Sequence, residues 1–227
     1  MDVWLVDLSL SLDQLDHCAQ VLDRAERERA DRFLRPVDRA RFIASHAALR
    51  LVLAEARGCT SSEIRLSTQA AGKPQLSEPT GSPLEFNLSH SAARALIGLA
   101  GSATIGVDIE QIRPIPDAVR IARMHFAPDE AAALAKLSPD AIEATFFGLW
   151  TRKEAVVKAL GTGLSLPLDR FSVTLPPAAP RLLRDCTGWT LAAIEAGAGY
   201  AATVAVRTDA AAIRHHTLPP GWPDRLT

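Results

Sequence analysis

Two pairs of residues stand at spacings that suit metal-dependent chemistry on phosphate groups. Asp108 and Glu110 are two positions apart in an alternating segment, so on a strand both side chains face one side, about 7 Å apart along the backbone. Glu154 and Lys158 are four positions apart in a segment with helical periodicity, so they share one helix face. Three carboxylates without a histidine or cysteine cluster favour Mg²⁺, which usually binds substrate phosphates as well.

Phosphoryl transfer also needs cations that offset developing charge and a base that accepts a proton from the nucleophile. Glu154, Lys158 and His90 are candidates for these roles. His90 lies between Ser89 and Ser91 at the end of a predicted strand, where functional sites commonly form. Further cations occur in the most basic region of the chain, which contains Arg27, Arg29, Arg32, Arg35, Arg39, Arg41 and Arg50.

Each of these patterns also has an ordinary structural explanation. The strand acids could simply face water, and a glutamate four positions before a lysine is a common helical ion pair. A single histidine such as His90 is typical of a structural residue. The basic region, with Glu26 and Glu28 as partners, is typical of a solvated helix face. The combination of three carboxylates with nearby lysines favours the functional interpretation.

A mixed set of strands and helices must position these residues. Alternating hydrophobicity predicts strands over 3–8, 64–68, 84–88, 94–100, 104–110, 171–175, 190–194 and 200–206. Helical periodicity predicts helices over 36–58, 117–125, 128–137 and 139–160, with Gly161 and Gly163 as the stop of the last. The tail from residue 219 is expected to be a loop. A helix followed by a strand occurs twice, over 36–68 and 139–175, which predicts an α+β fold of two similar halves that meet near residue 104.

The composition excludes several classes of protein. The chain has 227 residues, 48% of them hydrophobic, and a net charge of −1, which excludes disorder as its main state. No apolar stretch approaches the roughly 20 residues that cross a bilayer. Balanced charge gives no general attraction for nucleic acid. The N-terminus lacks the basic and apolar regions of a secretory signal, so we expect a cytoplasmic protein.

Four motifs, taken together and in this order, are similar to those of a known family. The chain resembles the 4′-phosphopantetheinyl transferases of the surfactin-synthetase-activating type over about residues 24–175. The motifs that carry the resemblance are Gly72-Lys73-Pro74, Phe86-Asn87-Leu88-Ser89-His90-Ser91, Gly106-Val107-Asp108-Ile109-Glu110 and Trp150-Thr151-Arg152-Lys153-Glu154-Ala155-Val156-Val157-Lys158. The match extends through Gly161-Thr162-Gly163-Leu164 to Phe171-Ser172-Val173.

The resemblance implies a pseudo-two-fold α+β monomer with coenzyme A and Mg²⁺ in the cleft between its halves. Residues 1–104 would contact the 3′-phosphate and adenine of coenzyme A, and residues 105–227 would carry the metal-binding acids and the catalytic helix. The implied enzyme is of the holo-[acyl-carrier-protein] synthase type. It moves the phosphopantetheine arm of coenzyme A onto a serine of an apo peptidyl, polyketide acyl or fatty-acid carrier and releases adenosine 3′,5′-bisphosphate.

The resemblance also implies roles for individual residues. The metal ligands would be Asp108, Glu110 and Glu154, and Glu154 is also the favoured general base, with a water molecule on the metal as the alternative. The pyrophosphate would be contacted by Lys158, His90 and Ser89. The adenine would lie by Lys73 and Pro74, and the 3′-phosphate by Arg50, with Arg29 as the second candidate. Glu26 departs from the basic residues expected in this region.

Two other functions remain as alternatives. The first is another Mg²⁺-dependent enzyme acting on nucleotides, although the chain has no Gly-x-x-x-x-Gly-Lys-Ser/Thr loop and no kinase signature. The second is a non-catalytic module of the same fold that binds a carrier protein or coenzyme A. The presence of Asp108, Glu110, Glu154 and Lys158 favours an enzyme.

Overall fold

The computed structural model describes residues 1–68, 72–161, 166–183 and 187–227. The α-helices in these ranges are α1 (Leu12–Val21), α2 (Arg24–Ala30), α3 (Pro36–Arg57), α4 (Ala118–His125), α5 (Pro128–Leu134) and α6 (Pro139–Leu160). The strands are β1 (Asp2–Asp7), β2 (Arg65–Thr68), β3 (Pro74–Glu78), β4 (Glu85–Ser91), β5 (Arg94–Ala100), β6 (Ile105–Gln111), β7 (Thr190–Ala193), β8 (Tyr200–Val206) and β9 (Arg214–Thr217). None of these helices is long and apolar enough to cross a membrane.

The order of elements repeats once along the chain. In the first half β1, α1, α2 and the long α3 precede the antiparallel strands β4 and β5, and in the second half β6, α4, α5 and the long α6 precede β7 and β8. The three strands of each half also pair in the same order, β4-β5-β1 and β7-β8-β6, with every pair antiparallel. The predicted α+β fold of two similar halves is therefore confirmed.

The two long helices begin and end in the same way. Helices α3 and α6 each have 22 residues and start with a proline, whose missing N–H costs nothing at the first helical position. Each ends before a glycine in the left-handed region, Gly58 and Gly161, both with φ near 67°. The predicted stop at Gly161 is confirmed, whereas Thr162, Gly163 and Leu164 lie outside the described residues.

Apolar side chains fill each half and also the junction between them. In the first half the buried face of α3, including Phe42 and Leu49, packs with Phe86 of β4. A separate buried cluster joins residues of the two sheets, among them Leu96 of β5 and Val107 of β6. The halves thus share apolar contacts, which hold strand β6 beside the first sheet.

The C-terminal segment returns to the first half, and the tail predicted to be a loop from residue 219 contains a short 3-10 helix over Trp222–Arg225. Strand β9 pairs in parallel with β1, and Trp222 beyond it is buried in the first core. The carboxylate of Asp2 accepts hydrogen bonds from Arg214 and His216, and the bond with Arg214 is the main cause that lowers the pKa of Asp2 to about 2. Every residue of β9 is exposed, so local hydrophobicity gave no sign of this strand.

Other boundaries also differ from the predictions. Helix α1 was not predicted, and α5 ends at Leu134 rather than at residue 137. The segment 171–175 is not a strand, because only Val173 pairs there, in an isolated bridge with Leu182. The residues Ser89, His90 and Ser91 lie within β4 rather than beyond its end. Their side chains therefore alternate between the two faces of a strand.

Candidate active site

The predicted acids and the predicted catalytic helix meet at the junction of the two halves. Strand β6 lies between strand β4 of the first half and helix α6 of the second half, and it contacts both. Strand β6 carries Asp108 and Glu110, α6 carries Glu154 and Lys158, and β4 carries the serine and histidine motif. The fold therefore brings the second, third and fourth motifs to one place.

Gly106 permits the close approach of β6 to α6. A Cβ atom on Gly106 would lie 2.1 Å from the carbonyl oxygen of Ala155 and 2.3 Å from the amide nitrogen of Ala159. Both distances are far below van der Waals contact, and both atoms belong to the helix backbone, so no side chain can rotate away to make room. The glycine of this motif thus sets the distance between Asp108 on the strand and Lys158 on the helix.

We expect Gly106→Ala to destabilise the fold by about 1–3 kcal/mol, because the added methyl group must push α6 away from β6. The same displacement should lower the activity of the site. Gly101→Ala is the matched control, since no atom lies within 4 Å of a Cβ built there. Denaturant unfolding of both variants measures the difference, and equal stability of Gly106→Ala and the wild type would contradict the packing argument.

Asp108 is the most buried of the three acids, with 3% of its surface exposed. Its Oδ1 accepts hydrogen bonds from Ser89 Oγ at 2.8 Å and from Lys158 Nζ at 2.6 Å. Its Oδ2 is buried and has no partner in the described part of the chain. Burial raises the pKa of Asp108, and the charge of Lys158 opposes that shift. An unpartnered buried carboxylate oxygen is costly unless a cation or donor satisfies it.

Glu110 and Glu154 complete the acidic cluster. Glu110 accepts a hydrogen bond from Ser91 Oγ at 2.8 Å, and burial raises its pKa, with a smaller contribution from the charge of Asp108. Glu154 is half-buried, and its pKa is raised by burial and then by the charges of Asp108 and Glu110. The charge of Asp108 thus acts on both Glu110 and Glu154, and the charge of Glu110 acts on Glu154.

The described residues do not hold three acidic, histidine or cysteine side chains arranged as a set of metal ligands. The ammonium group of Lys158 lies next to Asp108. It donates one hydrogen bond to Asp108 Oδ1 and another, at 3.0 Å, to Ser89 Oγ. The ordinary structural explanation of Glu154 and Lys158 was an ion pair along the helix. Lys158 instead forms its ion pair with Asp108. Lys158 is therefore directed at the acids of β6.

His90 is exposed and lies between Ser89 and Ser91 on β4, so its side chain projects from the opposite face of the strand. Desolvation of the imidazole by the surrounding chain lowers its pKa, and the neighbouring positive charges of His46, Lys158 and Arg41 lower it further. The imidazole of His90 therefore loses its proton more readily than a free imidazole and lies in an electropositive surrounding. Arg41 was part of the predicted basic region but was not singled out, because a run of charges does not tell which of them lies near His90.

Arg50 does not lie where a phosphate could reach it, which corrects the prediction for the 3′-phosphate. Its side chain is fully buried, and its guanidinium group donates to Glu26 at 2.7 Å, to Asp23 at 2.8 Å, and to the carbonyl oxygens of Ser61 and Ile64 at 3.2 and 2.8 Å. Glu26, the unexpected acid of this region, is therefore the counter-ion of a buried arginine.

We expect Arg50→Met to destabilise the fold by about 3–5 kcal/mol, because it leaves Glu26 buried without its charge partner. Arg39→Met on the same helix is the control, since the exposed ion pair of Arg39 should contribute less than about 1 kcal/mol. Chemical denaturation measures both. A stable Arg50→Met variant that binds coenzyme A weakly would restore the original prediction.

Arg29 is placed near the electropositive side of the site through two aromatic contacts. Its guanidinium carbon lies 5.3 Å from the centre of the Phe42 ring, and that ring stacks on His46 at 3.9 Å. His46 in turn is one of the charges that lower the pKa of His90. Arg29 therefore remains a candidate for an anion contact.

Lys73 reaches from the first half toward the end of α6. Its ammonium group pairs with Glu85 at 3.0 Å, and only 8% of its side chain is exposed. A Cβ atom on Gly161 would lie 3.4 Å from Lys73 Cδ. The loop before β3, which starts at Pro74, thus lies close to the C-terminal end of α6.

Lys153, the remaining lysine of the fourth motif, has a structural role. Its ammonium group is fully buried, pairs with Glu130 at 2.7 Å and donates to the carbonyl oxygens of Leu168 and Phe171. It ties α5 and the segment after α6 to the helix that carries Glu154. Helical spacing placed Lys158 rather than Lys153 on the face of Glu154, but it gave no sign that Lys153 has the buried partner Glu130 on α5.

Comparisons with known proteins cover nearly the whole chain. The model of the 4′-phosphopantetheinyl transferase superfamily matches residues 104–205, and a model of the N-terminal part of 4′-phosphopantetheinyl transferases matches residues 9–103. The 4′-phosphopantetheinyl transferase HetI of Nostoc sp. is 34% identical over 205 residues, which are 90% of this chain and 86% of HetI. The 4′-phosphopantetheinyl transferase Sfp of Bacillus subtilis is 35% identical over 170 residues, 75% of this chain and 74% of Sfp. With these matches and the four motifs in place, the chain belongs to the 4′-phosphopantetheinyl transferase superfamily.

Proposed function

We propose that this protein transfers the 4′-phosphopantetheine arm of coenzyme A to a serine hydroxyl of an apo carrier protein and releases adenosine 3′,5′-bisphosphate. The observation that carries the proposal is the group formed by Asp108, Glu110, Glu154 and Lys158 at the junction of the halves, in a chain of this superfamily. The partner supplies the nucleophilic serine, so the site needs a base and charge stabilisation rather than a nucleophile of its own.

In the proposed reaction a bond forms between the serine oxygen and the β-phosphorus of coenzyme A, and the bond from that phosphorus to the departing bisphosphate oxygen breaks. Glu154 accepts the serine proton. Its raised pKa makes the Glu154 carboxylate a stronger base than that of an exposed glutamate. Lys158 stabilises the charge that develops on the leaving phosphate.

The three acids are not arranged as a set of metal ligands in the described residues, but two observations on them would favour a bound divalent cation. The buried Oδ2 of Asp108 lacks a partner in the described chain. Besides burial, the charge of Asp108 raises the pKa values of Glu110 and Glu154. A cation would satisfy the oxygen of Asp108 and offset the repulsion among the carboxylates. Asp108, Glu110 and Glu154 would hold Mg²⁺, whose donor preference is carboxylate oxygen. When bound, Mg²⁺ would neutralise charge on the pyrophosphate of coenzyme A.

The remaining contacts follow from the positions of the cations. We assign the pyrophosphate to Lys158, Ser89 and His90, and the adenine to the loop of Lys73 and Pro74. For the 3′-phosphate we replace the buried Arg50 by Arg29 and Arg41, which lie on the electropositive side near His90. Charge-assisted bonds from arginine are well suited to phosphate.

The proposed partner is an apo peptidyl, polyketide acyl or fatty-acid carrier in the cytoplasm. Both halves of the site come from one chain, since β4 supplies Ser89 and His90 while β6 and α6 supply the acids. A monomer is therefore sufficient for the proposed reaction. No nucleic acid is needed for it.

Intact-protein mass spectrometry of an apo carrier incubated with this protein, coenzyme A and Mg²⁺ tests the proposal. We expect the carrier to gain the mass of one phosphopantetheine group, and we expect a chelator to abolish that gain. Peptidyl, polyketide and fatty-acid carriers should all be tried. Coenzyme A binding without mass gain on any of them would instead support the non-catalytic binding module.

A further inference from the structure

Strands β4 and β6 are both edge strands, and they lie side by side at the junction of the halves. Strand β4 ends the sheet β4-β5-β1-β9, and β6 ends the sheet β6-β8-β7. An edge strand leaves every second amide without a partner in its own sheet. On β6 these amides belong to Val107, Ile109 and Gln111, and each donates to a side chain of β4 rather than to its backbone.

The three acceptors on β4 are also spaced by two residues. The amide of Val107 donates to Asn87 Oδ1 at 2.9 Å, and the amides of Ile109 and Gln111 donate to the hydroxyl oxygens of Ser89 and Ser91 at 3.4 and 3.1 Å, respectively. Alternate residues of a strand share one face. Polar side chains thus take the place of a backbone ladder between the sheets. We call this set of bonds the polar seam.

The two serines of the polar seam make the same pair of bonds to β6, and Ser89 also accepts a hydrogen bond from Lys158. Ser89 accepts from the amide that follows Asp108 and donates to Asp108, and Ser91 accepts from the amide that follows Glu110 and donates to Glu110 at 2.8 Å. A hydroxyl has one proton. Because each oxygen is already an acceptor for an amide, its proton is directed at the carboxylate. Each serine therefore connects the position of β6 to the orientation of one acid.

We propose that the polar seam fixes the register between the two halves and that Ser91 is the positioning residue for Glu110. The inference rests on the proposed function in that Glu110 is a proposed metal ligand. Ser91 touches the carboxylate and the backbone of β6, so its contribution reaches the cation through Glu110. Hydrogen bonds from a second layer of residues commonly change metal affinity by 10- to 100-fold.

The test uses the full chain in four forms: wild type, Ser91→Ala, Ser91→Thr and Asn87→Ala. Mn²⁺ serves as the probe because the free ion is counted directly by electron paramagnetic resonance. We expect Ser91→Ala to weaken Mn²⁺ binding about tenfold and to speed hydrogen exchange at the amide of Gln111. Ser91→Thr keeps the hydroxyl and should restore both. Asn87→Ala should lower the melting temperature yet leave Mn²⁺ affinity unchanged, since Asn87 contacts the amide of Val107 and none of the acids.

Several results would overturn the inference. If Ser91→Ala binds Mn²⁺ as tightly as the wild type, Ser91 is not a positioning residue. If Asn87→Ala loses as much Mn²⁺ affinity as Ser91→Ala, the loss reflects general destabilisation, and the role of Ser91 is refuted as well. An unchanged rate of hydrogen exchange at the Gln111 amide in Ser91→Ala would refute the polar seam itself. If the wild-type chain binds no Mn²⁺, the metal site of the proposed function and the role of Glu110 as a ligand are both refuted. The hydrogen-exchange measurement would still decide whether the polar seam exists.

Discussion

Glu154→Gln is expected to reduce transfer to an apo carrier by about 10³-fold or more while the protein stays folded. A general base contributes about 10²–10⁴ to a rate, and glutamine has the shape of glutamate but cannot accept the serine proton. Glutamine also has nearly the same helix propensity. Because Asp108 and Glu110 raise the pKa of Glu154, removal of its charge relieves repulsion, and we expect the melting temperature without metal to be equal or higher.

Single-turnover transfer measured by mass spectrometry gives the rate of this variant, and thermal unfolding gives its stability. Glu143→Gln is the matched control, since Glu143 lies on the same helix three turns before the site and should keep the wild-type rate. Transfer by Glu154→Gln within a few fold of the wild type would remove Glu154 from the proposed reaction.

Lys158→Ala is expected to lower the rate constant of transfer by about 10²–10³-fold and to weaken coenzyme A binding by less than tenfold. Loss of one preorganised charge or donor at a transition state commonly has this cost. Lys158 lies where it contacts both Asp108 and Ser89, beside the proposed position of the leaving phosphate. Negative charge grows there during the reaction, so the lysine should contribute more in the transition state than in the bound substrate.

Calorimetric titration with coenzyme A and single-turnover transfer separate the two effects. Lys136→Ala is the control, because Lys136 is exposed and lies outside the four motifs. Equal losses in binding and in rate would mean that Lys158 anchors the ground state alone. Lys158→Ala also leaves the buried carboxylate of Asp108 without its counter-charge, so its metal-free form should be less stable than the wild type.

The sequence by itself determined the features that depend on near neighbours. Alternation placed Asp108 and Glu110 on one face of a strand, and helical periodicity placed Glu154 and Lys158 on one face of a helix. The glycine at residue 161 ended that helix as expected. These features follow from backbone geometry with periods of 2 and 3.6 residues, which a single segment already expresses. Together with the order of the four motifs, they were sufficient for the family and the fold class.

The tertiary structure decided what depends on residues far apart in the chain. Arg50 and Arg29 belong to one basic region, yet only the packing of α2 on α3 buries Arg50 against Glu26. Lys153 and Lys158 belong to one motif, yet α6 turns Lys153 into the core and Lys158 toward Asp108. Whether a charged side chain is a structural ion pair or part of a site depends on the partner that folding brings to it, and such partners here are 19 to 50 residues away.

The same reason explains the parts of the fold that the sequence did not predict. Strand β9 pairs with β1 across more than 200 residues, and its exposed side chains carry no periodic pattern. The polar seam needs Ser91 and Glu110 on strands of different sheets. Local sequence determined which residues of this protein could do chemistry. Long-range packing alone decided which of them meet, because a contact between distant segments has no signature within either segment.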